Sequence, residues 1–107
     1  MKYEVSLTES AKGDIAHYDS HDQRIIVAGI ISHLKVDAEV QTKRKKQLRS
    51  NPVAPWELRL DKFRIFYSVE EKSTTDKPAK RTRNVKVVAV GHKEHKELFI
   101  RGEKVKL

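Results

Sequence analysis

Hydrophobic and polar positions change their period twice along this chain. Tyr3-Glu4-Val5-Ser6-Leu7 alternates apolar with polar, which predicts a half-buried strand. Thr8 then suits an N-cap, with Glu9 well placed for the helix dipole. A short helix is expected over about Glu9 to Tyr18, with Ala11, Ile15 and Tyr18 on one face and weakened by Gly13. Ser20-His21-Asp22-Gln23 has the spacing of a capping box between residues 20 and 23. Behind it Ile26, Val27, Ile30, Ile31 and Leu34 recur at helical spacing and predict a second, longer amphipathic helix. So short a connection favours an antiparallel helical hairpin.

Past Val40 the period shortens to that of strands. Lys43-Arg44-Lys45-Lys46 is a basic run, and the two prolines between Ser50 and Pro55 end any helix. Trp56-Glu57-Leu58-Arg59-Leu60 and Phe63-Arg64-Ile65-Phe66-Tyr67-Ser68-Val69 then read as strands, with Asp61-Lys62 as a tight turn that lacks the usual glycine. Residues 71–83 have no periodicity and many breakers, so a flexible loop is expected. Asn84 to Val90 reads as a central strand that Gly91 ends, and Leu98 to Leu107 as a last extended piece or hairpin. This order predicts an α+β fold: an N-terminal strand, an antiparallel two-helix hairpin, then a small twisted, mainly antiparallel sheet with one face partly open. The 107 residues suit a single domain, 1–107.

Composition narrows the chemistry. Cysteine is absent, which excludes disulfides, thiolate metal sites and a cysteine nucleophile, and agrees with a reducing cytosol. No signal-peptide core opens the chain, and Ile25–Ile31 is far short of the ~20 apolar residues of a membrane helix. A soluble, cytoplasmic protein with no membrane association is expected. Twenty-three Lys and Arg against 15 Asp and Glu leave a formal charge of +8, which draws a small domain to polyanions.

The cations are clustered: Lys43–Lys46; Arg59, Lys62 and Arg64 on the middle hairpin; and His92, Lys93, His95, Lys96 and Arg101 after Gly91. Arg59 and Arg64 alternate with apolar neighbours, so both are expected to project from the solvent side of the hairpin. Trp56, Phe66 and Tyr67 can stack on bases, although core packing suits Trp56 and Phe66 better. His17 and His21 stand at i, i+4, a metal-ligand spacing, but Ser20 interrupts the helix that would align them. No metal or other cofactor is expected.

Trp56-Glu57-Leu58-Arg59, Phe63-Arg64-Ile65-Phe66-Tyr67 and Val87-Val88-Ala89-Val90-Gly91-His92-Lys93 together resemble the hairpin and following strand of RelE/ParE-type toxins. Val5-Ser6-Leu7-Thr8 with Ala11 resembles the family's usual start, so the likeness spans nearly the whole chain. It implies a toxin of a type II toxin–antitoxin pair, held inactive by a cognate antitoxin protein and meeting operator DNA only through that complex. RelE-like members cut messenger RNA on the ribosome with the substrate's own 2′-hydroxyl. ParE-like members inhibit DNA gyrase instead, and a third outcome is an inactive binding module.

The resemblance matches Arg59 and Arg64 to catalytic and phosphate-binding positions and Lys93 to a further cationic one. Glu57 stands where the nuclease pattern has lysine, and Phe99 where it has a tyrosine that assists catalysis. Transesterification at phosphorus needs a base, an acid and cations for the equatorial oxygens. Arg64 can clamp the phosphate, Lys93 and Arg59 can neutralise charge, and His92 or His95 can shuttle a proton. Lys43, Arg44, Lys45, Lys46, Lys62 and Arg101 are the expected RNA contacts around that centre.

Overall fold

The computed structural model describes residues 3–72 and 82–107. Within them the chain is α+β, with two helices and a mostly antiparallel sheet of seven strands. The order is β1 (Tyr3–Leu7), α1 (Glu9–Ala16), α2 (Ser20–Leu34), β2 (Lys45–Gln47), β3 (Trp56–Leu60), β4 (Phe63–Lys72), β5 (Thr82–Glu94), β6 (Glu97–Ile100) and β7 (Glu103–Val105). In the sheet, β2 to β7 follow one another in sequence order, each antiparallel to the next, while β1 pairs parallel to β5.

Both helices begin on side-chain caps. Thr8 Oγ1 accepts from the Ala11 amide at 3.1 Å, the cap expected from sequence. For α2 the cap is Asp19, which accepts from the Asp22 amide at 2.8 Å, so the expected Ser20–Gln23 box is displaced by one residue. Gln23 Nε2 instead reaches the Tyr18 carbonyl at 2.7 Å. The first helix ends at Ala16, before Tyr18, which leaves that ring free to turn toward the sheet.

Alternation places one side of the sheet under the helices. Ala11, Ile15, Ile26, Ile30 and Leu34 pack on Leu58, Ile65, Tyr67, Val85, Val87 and Val90. The other side has a smaller apolar cluster of Ala54, Phe66, Ala89 and Leu98. Phe66 pairs with Ala89 and Tyr67 with Val87, so Val88 is the extra residue of a bulge in β5. That bulge reverses the parity of the strand. Val87 and Val90 therefore both face the helices, although three residues apart.

Two expectations about this region change. β5 does not stop at Gly91 but continues to Glu94. The glycine is required by packing: a Cβ there would collide with the Phe99 carbonyl oxygen and lie 2.8 Å from Ile100 Cγ1. We expect Gly91→Ala to cost about 1–3 kcal/mol, read as a lower denaturation midpoint, because the obstacle is backbone. The expected loop over 71–83 is strand at Glu71, Lys72, Thr82 and Arg83, and its remainder, 73–81, lies outside the described residues. The segment after Leu98 is a hairpin, turned by Arg101 and Gly102 at φ 51° and 77°.

β1 and β6 share one edge of β5, and helix α1 fills the gap between them. β1 pairs as far as Val87 and β6 starts at His92. Between them the Thr8 amide donates to the Val87 carbonyl at 3.0 Å, and Asp14 Oδ2 accepts from the Val90 amide at 3.0 Å. Asp14 is a buried carboxylate, and Arg101 Nε completes it at 2.7 Å. No helix is long and apolar enough to cross a membrane among the described residues.

Candidate functional site

The sheet face away from the helices is the place where expected cations meet. Arg59 and Arg64 are direct cross-strand partners on β3 and β4, as are Glu57 and Phe66. Arg64 also pairs with Gly91, and Lys93 follows two residues along β5 on the same face. Lys46 on β2 stands opposite Glu57. Lys46, Arg59 and Arg64 thus neighbour one carboxylate, Glu57, which is only 2% exposed, while Lys93 lies farther along the same face.

Glu57 organises the cluster. Arg59 Nε donates to its Oε1 at 2.7 Å, and Arg64 Nε stands 3.9 Å from the same oxygen. Arg64 Nη1 is held by the Asp61 and Phe63 carbonyls, at 2.6 and 2.9 Å, which fixes the guanidinium plane against the β3–β4 turn. Its Nε is buried and has no hydrogen-bond partner within the described residues. Burial lowers the Arg64 pKa from its usual value, Glu57 opposes that shift, and Arg59 adds to it. An arginine so treated is still a cation at neutral pH. Its desolvation is a cost that an arriving anion relieves.

His92 belongs to the opposite face. It pairs with Phe63 and Phe99, both one residue out of phase with Arg64 and Lys93. Tyr18 Oη and His92 Nδ1 are 2.6 Å apart, and Phe99 stacks on the imidazole at 5.8 Å. The strand alternation therefore removes His92 from the cationic face, contrary to the expected proton shuttle beside Arg64. Phe99 likewise faces away from the cluster. His95 sits with Lys96 in the two-residue β5–β6 turn, both at positive φ (49° and 68°), and is exposed.

Burial holds the Tyr18 phenol up to about 12, with the nearby carboxylates of Asp14, Asp22 and Glu94 adding to the shift. The folded state therefore favours the neutral phenol. That contribution is whole below pH 10 and is lost as pH rises from 10 through about 12. In an absorbance titration of the phenolate band, Tyr18→Phe should remove one of three tyrosine ionisations, with the difference centred near 12.

Of the expected RNA contacts, two are committed to the fold. Lys45 is buried, and its ammonium donates to the carbonyls of Asp37 (2.9 Å), Val36 (3.3 Å) and His33 (3.4 Å), at and just past the C-terminal end of α2. It caps a helix end where a cation is favoured. Arg101 spans α1, donating to Asp14 and, through Nη2, to the Ser10 carbonyl at 2.9 Å. Lys43 and Arg44 are exposed just before β2, and Lys62 is exposed over the Phe63 ring at 5.3 Å. Trp56 and Tyr67 stack on each other at 6.0 Å in the core, and Phe66 is fully buried.

Lys46, an expected RNA contact, joins the cluster because β2 aligns it with Glu57. One residue outside the expected site matters as well. Glu57 is the hub. Its signal was present in the sequence, as an acid two residues from Arg59 on the same face of a strand. His17 is the C-cap that follows α1 while His21 lies in the first turn of α2, and no group of three potential metal ligands occurs among the described residues. No model of a known protein family matches the chain, and comparison with curated proteins finds no significant match.

Proposed function

We propose that this chain is a RelE/ParE-like toxin that binds messenger RNA on the ribosome and cleaves it through the substrate's own 2′-hydroxyl. The observation that supports this reading is the grouping of Arg59, Arg64 and Lys46 beside buried Glu57, with Lys93 farther along β5, all on the sheet face away from the helices. A phosphodiester is the natural guest of such a cluster, because planar guanidinium groups recognise phosphate oxygens directionally.

In this reading the 2′-oxygen attacks the adjacent phosphorus as the bond from phosphorus to the 5′-oxygen breaks. The 2′-hydroxyl proton passes to Glu57, which takes over the role first expected of histidine. The departing 5′-oxygen receives a proton from Lys93. Arg64 and Arg59 neutralise the charge that builds on the equatorial oxygens. A partner antitoxin belongs to the same proposal, and the exposed Ile25, Val27 and Ile31 of α2 offer it an apolar surface.

A gyrase-inhibiting, non-nuclease toxin is the second reading. It is favoured by the Glu57–Arg59 ion pair, which neutralises one cation of the cluster, and by Phe99 facing the other side. Adding the protein to a cell-free translation system, with primer extension on the message, separates the two. Cut transcripts and arrested synthesis support the nuclease. Intact message with normal synthesis, together with inhibited supercoiling by gyrase, would replace it with the second reading.

A further inference from the structure

The two residues that join β3 to β4 do more than reverse the chain. Asp61 alone of the pair lies in the left-handed region, at φ 51°, a conformation that glycine and asparagine take more readily. Its carbonyl oxygen accepts from Arg64 Nη1 at 2.6 Å, and the next carbonyl, that of Lys62, accepts from the Lys93 amide at 2.8 Å. Consecutive carbonyls of one turn thus engage both the arginine and the lysine that the proposed reaction uses. Asp61 is exposed, and neither bond involves its carboxylate. Asp37 repeats the arrangement away from the site: it too is left-handed, at φ 52°, and its carbonyl holds the Lys45 ammonium at 2.9 Å. A residue with a side chain kept at positive φ is a local cost, and such costs gather where a fixed geometry is required.

We infer that Asp61 is a positioning residue of the cationic face, acting through its main chain: the left-handed turn aims its carbonyl at Arg64 and ties the Lys93 backbone to the same turn. The part of this inference that concerns catalysis rests on the proposed nuclease reading; the part that concerns the Arg64 side chain does not. The Asp61 bond is the shorter of the two that hold Arg64 Nη1, 2.6 Å against 2.9 Å to Phe63, whereas the Glu57 carboxylate stands 3.9 Å from Arg64 Nε. A guanidinium with one nitrogen pinned to two carbonyls turns little about its own axis, so it gives up less freedom on meeting an oxyanion. The direction of a backbone carbonyl follows the dihedral angles of the turn. Residues that accept positive φ should therefore replace aspartate, and β-branched ones should not. A turn that only closes the hairpin predicts no effect on the Arg64 side chain.

The test compares the wild type with Asp61→Asn, Asp61→Gly and Asp61→Val, and with Asp61→Ala as the milder change should valine prevent folding. Amide spectra establish that the sheet is intact in each. Rotation of the Arg64 guanidinium about its Nε–Cζ bond is measured by nitrogen-15 exchange spectroscopy. Valine or alanine should speed it at least ~10-fold, the worth of one hydrogen bond to a charged group. Asparagine and glycine, the conservative changes for this backbone, should hold it at the wild-type rate. In single-turnover cleavage of ribosome-bound message, valine or alanine should slow the chemical step by about the same factor at unchanged substrate affinity, and asparagine and glycine should rescue it. Unchanged Arg64 rotation in the folded valine or alanine variant would overturn the positioning role. So would loss of cleavage in Asp61→Asn with rotation unchanged, which would transfer the role to the carboxylate. No cleavage by the wild type would remove the nuclease reading, and the rotation measurement would still decide whether Asp61 positions Arg64.

Discussion

Asp14→Ala is expected to be among the most destabilising single substitutions in this chain. The carboxylate is 2% exposed and serves two partners, the Val90 amide at 3.0 Å and Arg101 Nε at 2.7 Å. Alanine would leave a backbone N–H unpaired at the break between β1 and β6, and a guanidinium without its anion. Removing one member of a buried, hydrogen-bonded charge pair costs about 3–5 kcal/mol. The side chain of Arg101 is half exposed, so water recovers part of its solvation and the lower end of that range applies. For a domain of this size the melting temperature should fall by more than about 10 °C. Asp14→Asn keeps an oxygen for the Val90 amide and should lose distinctly less. Equal stability of Asp14→Ala and wild type by thermal or denaturant unfolding would show that α1 does not secure the sheet edge.

Arg64→Ala is expected to have the largest effect on activity. The guanidinium is fixed by two turn carbonyls, lies 3.9 Å from Glu57, and keeps a buried Nε unfilled. A positioned donor to the developing charge contributes about 10²–10³ to rate, and message cleavage should fall by that factor. Folding should be little harmed, because the cationic cluster is partly desolvated and self-repelling through Arg59. Arg64→Lys should recover only a fraction of the rate, since an ammonium cannot hold the turn carbonyls and a phosphate in one plane. Single-turnover cleavage on programmed ribosomes measures both. A loss for alanine that lysine restores completely would reduce Arg64 to a point charge.

The strands were legible where their periodicity was undisturbed. Trp56–Leu60 has the bounds expected from alternation, and Phe63–Val69 is prolonged to Lys72. The same alternation put Arg59 and Arg64 together on the side away from Leu58 and Ile65. Gly91 misled because glycine serves both to end strands and to admit a close neighbour, and only the fold supplies Phe99 as that neighbour. An end at Gly91 groups His92 with Lys93, whereas in the continuing strand successive residues face opposite ways.

Long-range partners were the other limit. Lys45 lies in a run of cations and differs from Lys46 only in which side of β2 it occupies. Its commitment to the carbonyls at the end of α2 depends on tertiary placement. Arg101 and Asp14 are 87 residues apart, so neither could be read as the other's partner. Asp14 did leave a local trace: it stands beside Ile15 and three residues after Ala11, on a helix face that is otherwise apolar.

The central claim is that one face of the sheet, and not the other, is the working face. Its most direct test is primer extension on ribosome-bound message, comparing Arg59→Ala, Arg64→Ala and Lys93→Ala with His92→Gln, all confirmed folded. The account predicts that the three cation variants lose cleavage while His92→Gln, at a half-buried position beside Tyr18 and Phe99 on the helix side, cuts at close to the wild-type rate. Loss of cleavage in His92→Gln, with the cation variants still active, would contradict it.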